Sequence, residues 1–174
     1  MRTLWLLRHA KASGSERGRS DHDRPLEARG ADDAERMGRH LAARGFAPQR
    51  TVCSTAIRAR ETLEHLVRGL GGDLPSALDR DLYLASGAEI ATLVRRVPDD
   101  VTSLLLVGHN PGMAELAAGL ARGGDPECLA ALRAKFPTCA LAELRFDTER
   151  WRQLSGGGEL VSYRTPKSIR EEDR

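Results

Sequence analysis

The sequence is short of the features that usually classify a protein quickly. It holds only three cysteines in 174 residues, Cys53, Cys128 and Cys139. They are odd in number, widely separated and outside any C-x-x-C, which argues against both a disulfide framework and a zinc site. A reducing, cytosolic compartment fits that usage. No segment approaches the roughly 18 apolar residues needed to cross a bilayer. The N-terminus carries Arg2 but no apolar stretch ending in a small-residue cleavage site, so a soluble, cytoplasmic protein without membrane contact is expected. Charge of one sign is missing too: 27 Lys and Arg against 25 Asp and Glu leave a net +2, too even to argue for nucleic acid. G-x-x-x-x-G-K-[ST], G-x-G-x-x-G and H-E-x-x-H are all absent, as are solenoid repeats and a domain linker. With 40% hydrophobic and 30% charged residues, the chain has the balance of a globular protein with a proper core. We expect one domain over residues 1–166 and a frayed tail over 167–174.

The pattern is organised around LWLLRHAKA, Leu4 to Ala12. An apolar run of this length near an N-terminus predicts a buried central strand. It ends in Arg8-His9, and a charged pair is costly to bury without a purpose. A Gly-, Ser- and charge-rich loop comes next, then a helix opening near Pro25 and Glu27, with Asp23 or Arg24 near its cap and Ala34, Met37 and Leu41 on its inner face. A short strand at Arg50 to Cys53 precedes a helix with Leu63, Leu66, Val67 and Leu70 on one stripe, stopped by Gly71-Gly72. Ala77 to Tyr83 reads as a strand, followed by a helix carrying Ile90, Leu93, Val94 and Val97. Val101 to Val107 is the strongest strand. Asn110 suits the N-cap and Pro111 the first turn of the next helix. Pro126 to Ala134 reads as a short helix and Thr138 to Asp147 as an alternating strand. Trp151 to Leu154 and Glu159 to Arg164 flank Ser155-Gly-Gly-Gly158 and read as a hairpin. Strands alternating with helices predict a three-layer α/β/α sandwich, a mostly parallel sheet with helices on both faces.

In such sheets ligands sit at the carboxyl ends of the strands. The predicted parallel strands end in Arg8-His9, in Ser54-Thr55-Ala56-Ile57-Arg58, and in Gly108-His109-Asn110. Two arginines and two histidines converging on one edge describe a pocket for a tetrahedral dianion, because a guanidinium gives forked, charge-assisted hydrogen bonds to phosphate oxygens. Arg58 falls in the first turn of a helix, where the macrodipole disfavours a cation and a bound anion would remove the conflict. A lone histidine at a strand end is more commonly a packed or surface group; two of them at one edge reverse that weighting. His40 and His65, on helices away from this edge, read as surface residues, and the Asp21-His22-Asp23 triplet as a solvated loop, since it lacks metal-ligand spacing. No metal or cofactor is called for.

The segments RHAKA (8–12), DRPLEARG (23–30), CSTAIRARET (53–62) and VGHNPG (107–112) together resemble the histidine phosphatase superfamily, in particular its small SixA-type phosphohistidine phosphatase branch. The resemblance runs from Leu4 to about Leu120. The family's Arg-His-Gly motif is here Arg-His-Ala, with Ala10. By position, His9 resembles the nucleophile, and Arg8, Arg58 and His109 the rest of the phosphate pocket. Arg24 resembles a further phosphate-binding residue of this branch. Larger members place a Glu after the third strand; the matching position here is Asp81, whose plain reading is a surface residue at a strand end. The resemblance implies a metal-independent phosphatase working through a phosphohistidine on His9, with protonated His109 and the arginines holding the phosphoryl oxygens and Asp81 carrying the proton. Phosphohistidine in proteins is the expected substrate. The alternatives are a small-molecule phosphomonoesterase and a non-catalytic phosphate or phosphoprotein reader. Partners are then phosphoproteins or small phosphorylated molecules, neither nucleic acid nor membrane.

Overall fold

The computed structural model describes residues 1–154 and 157–173. Its strands are β1 (Arg2–Arg8), β2 (Arg50–Ser54), β3 (Ser76–Asp79), β4 (Ser103–Gly108), β5 (Ala121–Gly124), β6 (Leu141–Phe146) and β7 (Gly158–Arg164). Its helices are α1 (Ala28–Ala42), α2 (Ile57–Leu70), α3 (Gly87–Arg95), α4 (Gly112–Leu120), α5 (Pro126–Ala134) and α6 (Pro166–Glu172). The strands form one sheet in the order β3-β2-β4-β1-β6-β7-β5. The β3-β2-β4-β1 block is parallel throughout. The β1–β6 and β6–β7 pairs are antiparallel and β5 lies parallel to β7. This is the α/β sandwich read from the alternation of strand and helix patterns.

β1 lies inside the sheet, with β4 on one side and β6 on the other, and its side chains serve both faces. Leu4 and Leu6 join the core under α3, α4 and α5, while Leu7 joins the core under α1, α2 and α6. Leu4, Leu6 and Leu7 are fully buried, at about 1.5–3 kcal/mol each, so the strand that delivers Arg8 and His9 is firmly held. On the second face α1 and α2 approach at glycines. A Cβ on Gly38 would lie 2.2 Å from the Leu66 carbonyl oxygen, and one on Gly69 would lie 2.0 Å from that of Glu35. Only hydrogen fits there, and the contact sets α2, and with it Arg58, against the sheet.

Several local expectations are corrected. The predicted strand to Tyr83 stops at Asp79 and turns into a 3-10 turn, Arg80–Leu82, capped by the Asp79 carboxylate. α1 begins at Ala28, past Pro25, and α4 begins at Gly112, leaving Asn110 outside the cap position. Trp151–Gln153 is a 3-10 turn and not one arm of a hairpin; β7 pairs with β6 and β5 instead. Residues 155 and 156 of the expected turn lie outside the described residues. β5 is a strand without a sequence signal, because Arg122, Gly123 and Gly124 have little strand propensity. The tail is not frayed over 167–172: α6 has a Thr165/Ser168 capping box and buries Ile169 in the core. His40, read as a surface residue, is buried, and Arg44 Nη1 donates to its Nδ1 at 3.1 Å.

Candidate active site

The parallel pairing of β1, β4 and β2 brings their carboxyl ends level. Arg8 is in register with Gly108, and Cys53 with Val107. The residues just beyond line one cleft of about 390 Å³, whose charged and imidazole walls are Arg8, His9, Lys11, Asp21, Arg24, Arg58 and His109. All four strand-end residues singled out from the sequence meet there, and so does Arg24.

His9 is buried, with 8% exposure. Its Nδ1 lies 2.7 Å from the Ala10 carbonyl oxygen. A carbonyl only accepts, so Nδ1 carries the proton and Nε2 keeps its lone pair. Burial is the main force that pushes the His9 pKa down to about 4; Arg58, Arg8 and Arg24 push the same way, and the bond to Ala10 opposes them. The ring is therefore neutral near pH 7. The Ala10 amide donates to Thr62 Oγ1 at 2.9 Å, and that hydroxyl donates to the Arg58 carbonyl at 2.6 Å. One buried threonine thus ties the turn after His9 to the helix turn bearing Arg58.

The His109 ring lies 5.2 Å from that of His9, centroid to centroid. Ser54 Oγ, 2.7 Å from His109 Nε2, already accepts from the Ala56 amide. The hydroxyl keeps its proton and a second lone pair, so it can donate to Nε2 or accept from it; with Ser54 donating, the His109 proton sits on Nδ1. Burial first, then His9 and Arg58, take the His109 pKa down to about 3. Without a bound anion the His109 ring is therefore neutral near pH 7; a phosphate dianion in the cleft would favour its protonated form.

Arg8 Nη1 donates to the Phe136 carbonyl at 2.9 Å, and Asn110 Nδ2 donates to the same oxygen at 2.8 Å. Arg58 sits in the first turn of α2, 3% exposed. It donates from Nη1 to the Asp21 carbonyl at 2.6 Å and from Nη2 to Asp21 Oδ2 at 3.0 Å. Arg24 Nη1 reaches Asp21 Oδ1 at 2.8 Å, and Arg24 Nε reaches the Ser13 carbonyl at 2.9 Å. Around the cleft, Arg8 Nε, Arg58 Nε, His109 Nδ1 and Asn110 Oδ1 are buried without a partner among the described residues. Buried polar atoms are nearly always paired, so a cluster of unpaired ones, mostly donors, marks a place built for an anion.

Two residues that sequence reasoning passes over belong here. Asp21 bonds Arg58 and Arg24 and accepts from Tyr83 Oη at 2.7 Å. The Tyr83 hydrogen bond leads the effects that hold the Asp21 carboxyl below its ordinary pKa, and Arg58 and Arg24 add to it. The Tyr83 ring packs edge-on against His109 at 5.5 Å and against His22 at 4.9 Å. The loop read as solvated is in fact docked on the cleft rim, with His22 Nε2 at 2.9 Å from Thr55 Oγ1. Asp81 is not brought to the cleft. It is exposed, its amide donates to Asp79 Oδ1 at 2.8 Å, and it lines clefts formed with Leu93 and Arg96 of the α3 region.

Residues 4–83 match the sequence profile of the histidine phosphatase superfamily (branch 1). A protein of Mycobacterium tuberculosis is 38% identical over 164 residues, covering 92% of this chain and 100% of that one. The solved structure of a proposed phosphohistidine phosphatase SixA from Nakamurella multipartitia is 34% identical, covers 95% of this chain and 96% of its own, and superposes with a TM-score of 0.79. Its counterpart from Agrobacterium tumefaciens is 31% identical, covers 95% and 98%, and gives 0.78. This chain belongs to the histidine phosphatase superfamily. It is a phosphatase of SixA-like type, and the cleft at the strand ends is lined by Arg8 and His9 of its Arg-His-Ala segment. Among the described residues no group of three or more His, Cys, Asp or Glu side chains is placed to hold a metal ion, and no helix is long and apolar enough to cross a membrane.

Proposed function

We propose that this histidine phosphatase hydrolyses phosphohistidine in proteins, through a phosphoryl group carried on His9. In the first step the Nε2 lone pair attacks phosphorus in line, the new N–P bond forms, and the bond from phosphorus to the substrate nitrogen breaks, that nitrogen keeping the electron pair. Arg8, Arg58 and Arg24 hold the other phosphoryl oxygens, and His109 donates from Nδ1. Each such contact, realised as charge spreads in the transition state, contributes about 3 kcal/mol by analogy with oxyanion donors. In the second step water attacks, the bond to Nε2 breaks, and its electron pair returns to the ring. The water's proton leaves with the phosphate product or to solvent.

The observation that carries the choice of substrate is Asp21. It is the one carboxylate lining the cleft among the described residues, and Tyr83, Arg58 and Arg24 keep it ionised. An ionised carboxylate bound to cations is a poor general acid. A departing alkoxide needs a proton at the moment of cleavage. A phosphohistidine does not, because solvent protonates the far nitrogen of its ring and the imidazole leaves neutral. The arginines supply the positive charge that metal ions supply in other phosphoryl transfers, so turnover is expected to survive EDTA. The test compares a phosphohistidine peptide, an aryl phosphate and an alkyl phosphate, with His9→Ala as control. The reading expects kcat/KM to rank in that order; an alkyl phosphate as the best substrate, or loss of turnover in EDTA, contradicts it.

A further inference from the structure

A second cleft, of about 440 Å³, adjoins the first and shares two of its walls, Lys11 and Thr138. Its charged lining is Lys11, Arg29, Lys135, Lys167 and Arg170, with a single acid, Asp33. Asp33 is buried, bonded to Arg170 Nη1 at 2.5 Å and 3.9 Å from Arg29 Nε. It therefore tethers two of the cations and leaves the surplus on the lysines. Lys11 and Lys135 form no ion pair among the described residues, and Lys167 has only a loose one with Glu171 at 3.8 Å between two exposed side chains. Against a whole-chain charge of +2, this is a strong local concentration of one sign. Its floor is Pro137 and Pro166 beside the buried Tyr163.

We infer that this basic cleft seats an acidic segment of the phosphoprotein whose phosphorylated side chain enters the first cleft. The inference rests on the protein-substrate reading above and extends it to the residues beside the phosphohistidine. Lys11 stands between the two clefts, so a chain leaving the phosphate pocket past Lys11 and Thr138 enters the lysine-lined cleft directly. Unpaired lysines at a rim act on encounter and register, and they discriminate partners by charge. Nucleic acid fits less well, because sequence-tolerant binding of single strands uses exposed aromatic platforms, and the one aromatic ring here is buried.

The test uses two peptides of equal length, a histidine flanked by glutamates or by serines, each with and without chemical phosphorylation, and an aryl phosphate. The variant is Lys135→Glu/Lys167→Glu, neither residue lying in the His9 cleft. The acidic phosphopeptide is expected to exceed the serine one about tenfold in kcat/KM at low salt, with the advantage shrinking as salt rises. The double variant is expected to remove that advantage while aryl phosphate turnover and thermal midpoint stay unchanged. The unphosphorylated acidic peptide, followed by fluorescence anisotropy, is expected to bind the wild type and to lose about tenfold in affinity with the variant. Equal treatment of both peptides, or no binding of the acidic one, overturns the inference. So does tighter binding by a single-stranded oligonucleotide than by the peptide. Failure of phosphohistidine turnover while anisotropy still shows binding strikes the substrate reading alone.

Discussion

Arg2 and Arg8 are the first and last residues of one buried strand, and their surroundings differ. The two Nη nitrogens of Arg2 donate to the carbonyls of Val101 and Asp99 at 2.6 Å each and also to that of Glu149, and its guanidinium lies over the Trp151 ring at 5.7 Å. The Arg8 guanidinium makes one hydrogen bond among the described residues, to the Phe136 carbonyl. Each leaves Nε without a partner. At the amino end of β1 the guanidinium is consumed by the protein and joins loops 99–101 and 149–151 to the sheet. At the carboxyl end it is held by one arm beside His9, His109 and Arg58 and faces a cleft. A buried arginine is thus a structural or a functional group according to how many of its donors the fold has already used.

Substitution at the two ends is expected to separate stability from activity. Arg8→Met should lower kcat/KM for an aryl phosphate about 10²–10³-fold, as for loss of an oxyanion donor, with little change in the denaturant midpoint. Arg2→Met should do the reverse. It strands the Asp99 and Glu149 carbonyls, while that of Val101 keeps Trp151 Nε1, and loses about 3 kcal/mol of stability, measured by urea unfolding, while kcat/KM of the folded protein is unchanged. Equal activity losses would erase the distinction. A smaller effect is expected at Asp21. Asp21→Asn loosens Arg58 and Arg24 and should lower kcat/KM about tenfold, by the same factor for aryl and alkyl phosphates, because the residue positions the arginines and is no acid. Asp81→Asn should stay within about twofold of wild type. A larger loss on the alkyl ester in either variant would restore a proton-carrying role.

A separate effect, on stability alone, concerns pH. The His9 pKa lies at about 4 in the folded protein against 6.5 ordinarily, and that of His109 at about 3 against 6.5. As pH falls below 6.5 the unfolded chain takes up protons that the folded one refuses, so this contribution to stability is whole above 6.5 and is lost progressively toward pH 4 and 3. Denaturant midpoints should decline over that window, and less so in His9→Gln. In a nitrogen NMR titration, the His9 ring should remain neutral from pH 7 to pH 5.

The parallel half of the sheet with its helices and the strand-end residues were legible because the buried strands β1 and β4 are long apolar runs, and an Arg or His that ends one is conspicuous; β5 and the 3-10 turn at Trp151 were not. Arg24 was legible only through family resemblance. Asp21 was hidden because three charged or polar neighbours in a loop look solvated, and nothing local says that a 3-10 turn will dock on α2. Thr62 carried a readable hint, being four residues after Arg58 on the same helix face. Asp81 misled for the opposite reason: it was expected inside a strand running to Tyr83, but the strand ends four residues earlier, at Asp79, and the 3-10 turn leaves Asp81 on the outside. In α6, Thr165 and Ser168 spelled a cap three residues apart, and the charged run after them masked it.

The central claim is that His9 carries the phosphoryl group. Its most direct test is rapid acid-free quenching during turnover of a phosphohistidine peptide, followed by mapping of the trapped phosphoryl group by mass spectrometry. A stoichiometric, alkali-stable and acid-labile phosphoryl group on the peptide containing His9, absent from a folded His9→Ala protein that no longer turns over, is the predicted result. A phosphoryl group on another residue, or steady turnover by His9→Ala, would contradict it.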